Sequence, residues 1–325
     1  MAKKSIPLPE RREDANKGDF GKLLIVGGSR GMAGAVCLAA RAAGRSGSGL
    51  VKVAAPEPIW DVVATKLDEA ITMGLPATRN GSFAEKALDA LLEATEWADV
   101  VVLGPGLGTD RQTVAVVREA TRRITKPLVL DADGLNAFAS RVGQLGRMRN
   151  ALKDRPLVLT PHPGEMARLL SGSWETPLRK QKKAKRGPPR TRRAPRLDSK
   201  TGSLTPKHVQ ADRDGAARTC ARAAKAVVLL KGAGTIVTDG RRRYVNKTGN
   251  PGMATGGSGD VLAGLLGSLI GQGMDAYEAT CLAAHLHGFA GDLAARRLTE
   301  WSLVAGDLID ELPNAFYAYQ HGEDD

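Results

Sequence analysis

Residues 249–264 read GNPGMATGGSGDVLAG, and this stretch limits what the chain can fold into more than any other. It opens with helix breakers and then becomes an apolar helical pattern carried by Val261, Leu262, Leu265, Leu266, Leu269 and Ile270. A glycine-rich loop therefore runs straight into a helix N-terminus. Glycines let backbone N–H groups come close to an anion, and the unpaired N–H groups and dipole of a first turn favour negative charge. One carboxylate, Asp260, stands at the junction. Alone it would read as a helix-capping acid. Flanked by Gly249, Gly252, Gly256, Gly257, Gly259 and Gly264, it reads as a base. It would take a proton from a hydroxyl while N–H groups of Gly257, Ser258 and Gly259 form an anion hole for a phosphoryl group. The helix dipole is expected to keep Asp260 ionised, which makes it a weak base.

Upstream, short apolar runs alternate with longer helical patterns. Residues 22–27, 50–54, 100–103, 127–130 and 156–159 read as strands, and 33–46, 84–95, 114–123 and 164–170 as helices. Strands separated by helices predict a parallel sheet covered on both faces. The glycine and polar motifs fall just after strands, where open α/β sheets place their ligands. Residues 227–230, 235–237 and 243–245 predict an antiparallel meander ahead of the glycine loop. Residues 260–270, 276–296 and 302–312 then close the chain as helices.

Five further motifs accompany the loop: GDFGK at 18–22 running into LLIVGGS, LGPGLG at 103–108, LDADGLN at 130–136, TPHPGE at 160–165 and LKGAGT at 230–235. Taken in order, over about residues 17–171 and 208–312, they resemble the ADP/ATP-dependent NAD(P)H-hydrate dehydratases of the ribokinase-like superfamily. The resemblance implies a three-layer α/β sandwich with a mostly parallel central sheet and helices on both faces. It implies a carbon–oxygen lyase of metabolite repair, which returns hydrated NADH or NADPH to NAD(P)H. A nucleotide phosphorylates the ring hydroxyl and phosphate is then eliminated.

The same resemblance assigns residues. Asp260 is the base and a substrate contact; Ala35, Gly106 and His162 are further substrate contacts. Lys231, Gly232, Ala233, Gly234, Thr235 and Gly259 line the nucleotide site, with Lys231 offering charge to phosphates. Glu165 stands where an acid often lies near Mg²⁺, beside ADP or ATP, although it reads equally well as a first-turn helix acid. Taken alone, KGAGT would be a hairpin turn with an exposed lysine. Asp131, Asp133 and Asn136 are expected to support the substrate pocket, though an Asp-Gly turn explains part of that motif. The run Gly27-Gly28-Ser29-Arg30-Gly31 invites a dinucleotide-fingerprint reading, but no acidic residue ends a recognisable second strand as that fingerprint requires.

The net charge of +12 looks like a nucleic-acid signal. Ten of those charges, however, lie between Arg179 and Arg196 with no acid among them, so the rest of the 325-residue chain is near neutral. That run falls in a Pro-rich, apolar-poor segment, 172–207, which reads as a disordered insertion in one domain spanning 1–325. With only 4% aromatic residues there is no stacking platform for single-stranded nucleic acid. Cys37, Cys220 and Cys281 lack metal-ligand spacing and read as reduced, buried thiols. Neither an N-terminal h-region nor a membrane span is apparent, so a cytoplasmic protein without a membrane partner is expected. With few residues ahead of Lys22, the epimerase domain fused to some relatives is not expected here. Relatives commonly form tetramers, so a homo-oligomer is expected. Two alternatives stay open: a small-molecule hydroxyl kinase of the same fold, of thiazole or pyridoxal type, and an RNA-associated protein that uses the basic insertion.

Overall fold

The computed structural model describes residues 6–149, 155–171 and 204–324. Its frame is one sheet of nine strands. They are β1 (Lys22–Val26), β2 (Leu50–Pro56), β3 (Ile71–Leu75), β4 (Val100–Leu103), β5 (Leu128–Leu130), β6 (Leu157–Leu159), β7 (Val227–Leu230), β8 (Ile236–Thr238) and β9 (Arg243–Val245). Their order across the sheet is β3-β2-β1-β4-β5-β6-β7-β8-β9. The first seven strands pair in parallel, and β7-β8-β9 form the expected antiparallel meander.

The central strands are runs of Val, Leu and Ile because both of their faces are covered. Leu23, Ile25, Val100, Val102, Val129 and Val158 point to one side. There they meet α1 (Ala33–Arg45) and α2 (Glu57–Lys66). Three helices from the end of the chain, described below, complete that layer. Leu24, Val26, Val101, Leu103, Leu128 and Leu130 point the other way. They meet α3 (Leu88–Glu96), α4 (Arg111–Arg123), α5 (Ala132–Asn136), α6 (Val142–Arg149), α7 (Pro163–Leu170), α8 (Pro206–Ala211) and α9 (Arg213–Ala224). The helices α10 (Ser258–Gly271), α11 (Ala276–Leu298) and α12 (Ala305–His321) belong to the first layer. This is the expected three-layer sandwich.

Helix α10 is buried over almost its whole length. It lies so close to α1 that a Cβ at Gly264 would fall 2.0 Å from the Ala39 carbonyl oxygen. That close approach fixes where its N-terminus, and hence the glycine loop, meets the sheet.

Several elements differ from the sequence reading. Helix α2 and the edge strand β3 carry no strong pattern, and Ile71, Trp60 and Val62 are exposed. The helix expected at 84–95 is split into a 3-10 turn, Glu85–Ala87, followed by α3. The last helix starts later than 302 and runs through Pro313 to His321. The segment read as an insertion to 207 overlaps ordered structure at its end: Leu204 is buried in the core and Thr205 precedes α8, whose first residue is Pro206. The basic run itself, 179–196, lies outside the described residues. Among the described residues no helix is long and apolar enough to cross a membrane.

Candidate active site

Strands β5, β6 and β7 are parallel neighbours, so their C-terminal ends line up and deliver Asp131, the 160–165 loop and Lys231 to one place. Asp131 is buried, at 1% exposure. Its Oδ1 accepts from Thr160 Oγ1 at 2.7 Å and from Lys231 Nζ at 2.7 Å. Lys231 Nζ also lies 3.9 Å from Glu165 Oε2. Burial works against the lysine's charge, but Asp131, Glu165 and Asp260 outweigh it and raise its pKa. The lysine's charge thus already has a buried partner in Asp131, while the residue still lines the cavity.

The following loop is held from below. Arg213 on α9 donates to the carbonyls of Leu230 at 3.0 Å, Lys231 at 3.3 Å and Gly234 at 3.4 Å. Thr235 Oγ1 donates to Gly232 O at 2.9 Å. Sequence spacing carried no sign of Arg213's part.

His162 caps α7. Its Nδ1 accepts from Gly164 N at 2.9 Å and from Glu165 N at 3.4 Å, while Glu165 Oε2 accepts the His162 N–H at 2.7 Å. This is a reciprocal capping box. With Nδ1 an acceptor, the proton of the neutral ring sits on Nε2, 3.4 Å from Glu165 Oε1. Burial, then Lys231 and Arg168, lower the His162 pKa and keep it neutral. Burial raises that of Glu165, partly offset by Lys231. Glu165 therefore shows the first-turn geometry directly. Among the described residues no group of three acids, histidines or cysteines is placed to hold a metal.

Above this cluster stands the start of α10. Gly257 caps it at φ +91°, a left-handed conformation that disfavours side chains. A Cβ at Gly259 would lie 3.2 Å from Lys231 Nζ and 3.9 Å from Asp131 Oδ2, so the first turn rests directly on the ion pair. Asp260 faces the same cavity. Burial, then Asp131, push its pKa up to about 7, with Lys231 pulling the other way. This corrects the expectation that the dipole keeps Asp260 a weak base. Beside two buried carboxylates the dipole loses, and Asp260 becomes a base matched to neutral pH.

These groups open onto one cavity of about 790 Å³. Its lining includes Asp131, His162, Glu165, Lys231, Gly232, Ala233, Gly234, Thr235, Gly257, Ser258, Gly259 and Asp260. Ala35 and Gly106 are neighbours of one another, a Cβ at Gly106 falling 3.0 Å from that of Ala35, but they are not part of this lining. The loop that carries Gly106 still reaches the site. Gly108 N donates to Asp133 Oδ2 at 2.9 Å, and a Cβ at Gly104 would meet the Asp131 carbonyl oxygen at 1.8 Å. Asp133 and Asn136 thus brace the 104–108 loop, joined to one another at 2.9 Å. His287 also lines the cavity. It sits within an ordinary apolar helical pattern, and no motif marked it.

The fold is a ribokinase-like one. A crystal structure of a ribokinase-like superfamily protein from Enterococcus faecalis superposes with a TM-score of 0.70 at 23% identity, covering 96% of this chain and 92% of that one. The profile of the NAD(P)H-hydrate dehydratase family matches residues 23–314, and the chain belongs to that family. It is 44% identical over 308 residues to the bifunctional NAD(P)H-hydrate repair enzyme Nnr of Moorella thermoacetica, covering 94% of this chain and 51% of that one. The corresponding Escherichia coli enzyme is 34% identical over 306 residues, with 94% and 49% covered. The chain therefore spans about half the length of these relatives. A crystal structure of the ADP/ATP-dependent NAD(P)H-hydrate dehydratase from Bacillus subtilis, co-crystallised with ATP/Mg²⁺, superposes with a TM-score of 0.72 at 26% identity, covering 96% and 94%.

Proposed function

We propose that this chain converts hydrated NADH or NADPH to NAD(P)H, with ADP or ATP as phosphoryl donor. The observation that carries the reading is Asp260, a carboxylate with a pKa of about 7 in the first turn of α10, at the wall of a cavity that also exposes the Lys231 loop. In this reading Asp260 takes the proton from the ring hydroxyl as its oxygen attacks the terminal phosphorus. The donor leaves shortened by one phosphoryl group. The first-turn N–H groups of α10 bind the moving phosphoryl, and the 231–235 loop holds the donor. The ring nitrogen's lone pair then helps expel phosphate as the C–O bond breaks. Loss of a proton from the neighbouring carbon restores the double bond.

Asp131, Glu165 and Asp260 face a single ammonium, so with Asp260 ionised the cluster is two charges negative. That donor set suits a hard cation held mostly by phosphate and water oxygens. Were Mg²⁺ bound with the nucleotide, Asp131, Glu165 and Asp260 would be the carboxylates facing it and it would neutralise phosphate charge. Ala35, in the first turn of α1, and Gly106, in the loop after β4, belong to the dinucleotide part of the substrate, and His162 to its edge nearer the donor. We further propose one folded unit with the basic segment as an insertion, a cytoplasmic location and assembly as a homo-oligomer, by family likeness.

Product accounting tests the reaction. With hydrated NADH and ATP, phosphorus NMR should find inorganic phosphate equal to the NADH formed. A phosphorylated product that persists without phosphate release identifies a hydroxyl kinase and overturns the reading.

A further inference from the structure

We infer that His287 and Asp292, both on α11, are positioning residues that separately fix the two ends of the glycine loop: His287 orients the first turn of α10 for phosphoryl transfer, and Asp292 shapes the nucleotide side of the cavity. Asp292 Oδ2 accepts the Gly249 N–H at 2.8 Å and its Oδ1 accepts from Asn250 Nδ2 at 2.9 Å. Asn250 Oδ1 in turn accepts the Gly252 N–H at 3.0 Å. At the other end, His287 Nε2 lies 2.9 Å from the Ser258 carbonyl oxygen. A carbonyl only accepts, so Nε2 carries the proton and donates. His287 is 9% exposed, and burial lowers its pKa to about 4, so it remains a neutral donor across the working range.

Between these anchors α11 presses its backbone against the loop: a Cβ at Gly288 would fall 2.7 Å from the Thr248 carbonyl oxygen. A Cβ at Gly256, by contrast, would meet nothing within 4 Å. The loop is thus pinned at both ends, and Gly252 and Met253 between them are packed against Glu300 and Gly291, which leaves Gly256 as its open point.

The two anchors act on different groups. Ser258 lies two residues before Asp260 and carries the first of the free N–H groups, so releasing its carbonyl tilts the base and the anion hole together. Gly249 and Asn250 line the same cavity but precede Asp260 by eleven and ten residues and lie outside α10, so releasing them loosens the loop wall without tilting the first turn. Transition-state geometry is sensitive to shifts of about 1 Å, whereas a loosened binding loop acts first on affinity. The inference rests on the cavity being the nucleotide site.

Amide hydrogen exchange and steady-state kinetics are measured on His287→Leu, His287→Gln and Asp292→Ala. In His287→Leu, exchange at Val261 and Leu262, the first bonded amides of α10, should accelerate ~10-fold or more while Gly249 is unchanged. kcat should fall ~10–100-fold with nucleotide KM within ~3-fold. His287→Gln keeps an N–H donor and should recover most of both effects. Asp292→Ala should show the opposite split: fast exchange at Gly249, nucleotide KM raised ~10-fold, and kcat within ~3-fold. A folded His287→Leu with wild-type exchange and kcat overturns the inference, as does Gln no better than Leu, or both sites changing kcat and KM alike. If His287→Leu does not fold, the Gln variant decides: slow exchange at Val261 and Leu262 supports the anchor, and fast exchange there contradicts it. Wild-type protein inactive on the hydrate would fail the functional reading while the exchange results still decide the anchoring.

Discussion

Lys231 Nζ donates to Asp131 Oδ1 at 2.7 Å across a sequence separation of 100 residues, tying the end of β7 to the end of β5 beneath the first turn of α10. The lysine side chain is 19% exposed and the aspartate 2%, so the pair is largely removed from water.

Removing one partner leaves the other charge buried. Lys231→Met should therefore destabilise the fold by ~3 kcal/mol, the low end for a broken buried pair because the lysine is partly wet. Adding Asp131→Asn should recover part of that loss. Urea unfolding of both single variants and the double gives the coupling. A value near zero would mean that the contact holds nothing together. Lys231→Met should also raise nucleotide KM more than it weakens the hydrate, and equal weakening of both would count against the donor-site assignment.

Asp260→Asn separates a base from a cap. As a base, Asp260 is needed for turnover, and its loss should cost ~10²–10⁴-fold in kcat with nucleotide affinity largely kept. Its effect on stability has a defined sign. The folded carboxyl titrates at about 7, above the ordinary aspartate value. The stability it contributes is therefore full below pH ~4 and is lost as pH rises through about 7. The neutral variant should thus be more stable than wild type at pH 8, by ~1–3 kcal/mol, and equal to it near pH 4. Thermal melts at the two pH values check this. A capping acid would give the reverse: near-normal turnover and a less stable variant at pH 8.

The rate itself should follow the same titration. kcat/KM for the hydrate should climb through pH ~7 and level off above it, because only ionised Asp260 accepts the proton. Burial, Lys231 and Arg168 lower the His162 pKa, so any limb from His162 should fall on the acid side of an ordinary histidine. A profile flat from pH 5 to 9 would remove Asp260 from the proton transfer.

The basic segment should be dispensable, but within narrower limits than its composition implies. Deleting 174–200 behind a short linker should leave fold and activity intact, since shortening a long loop changes closure entropy by only ~0.6 kcal/mol per halving. Extending the deletion through 206 removes the buried Leu204 and the residues that start α8, and should cost ~2–4 kcal/mol. Comparative denaturation checks both. Insolubility of the shorter deletion would make the segment part of the folded body. Any gain in association rate from its charge should fade with salt.

Much of this was legible in the sequence, for identifiable reasons. Central strands are buried on both faces and apolar, β4 throughout and β1 from Leu23 to Val26, and the glycine-rich run needs a small residue at 259, where the first turn meets Lys231. Edge strand β3 was not legible, because with Ile71 exposed its pattern is weak. Nor were the long-range supports. Arg213, His287 and Asp292 act through backbone atoms of distant segments, and nothing local marks such a residue. The charge state of Asp260 was misjudged because the dipole is a local property, while burial and Asp131 arrive only with the tertiary fold.

The most direct measurement of the central claim is the absorbance of restored dihydronicotinamide when purified protein meets hydrated NADH with ADP or ATP and Mg²⁺. The account predicts a nucleotide-dependent rise with wild-type protein and none above background with Asp260→Asn. No rise with either nucleotide, or an equal rise with Asp260→Asn, would contradict it.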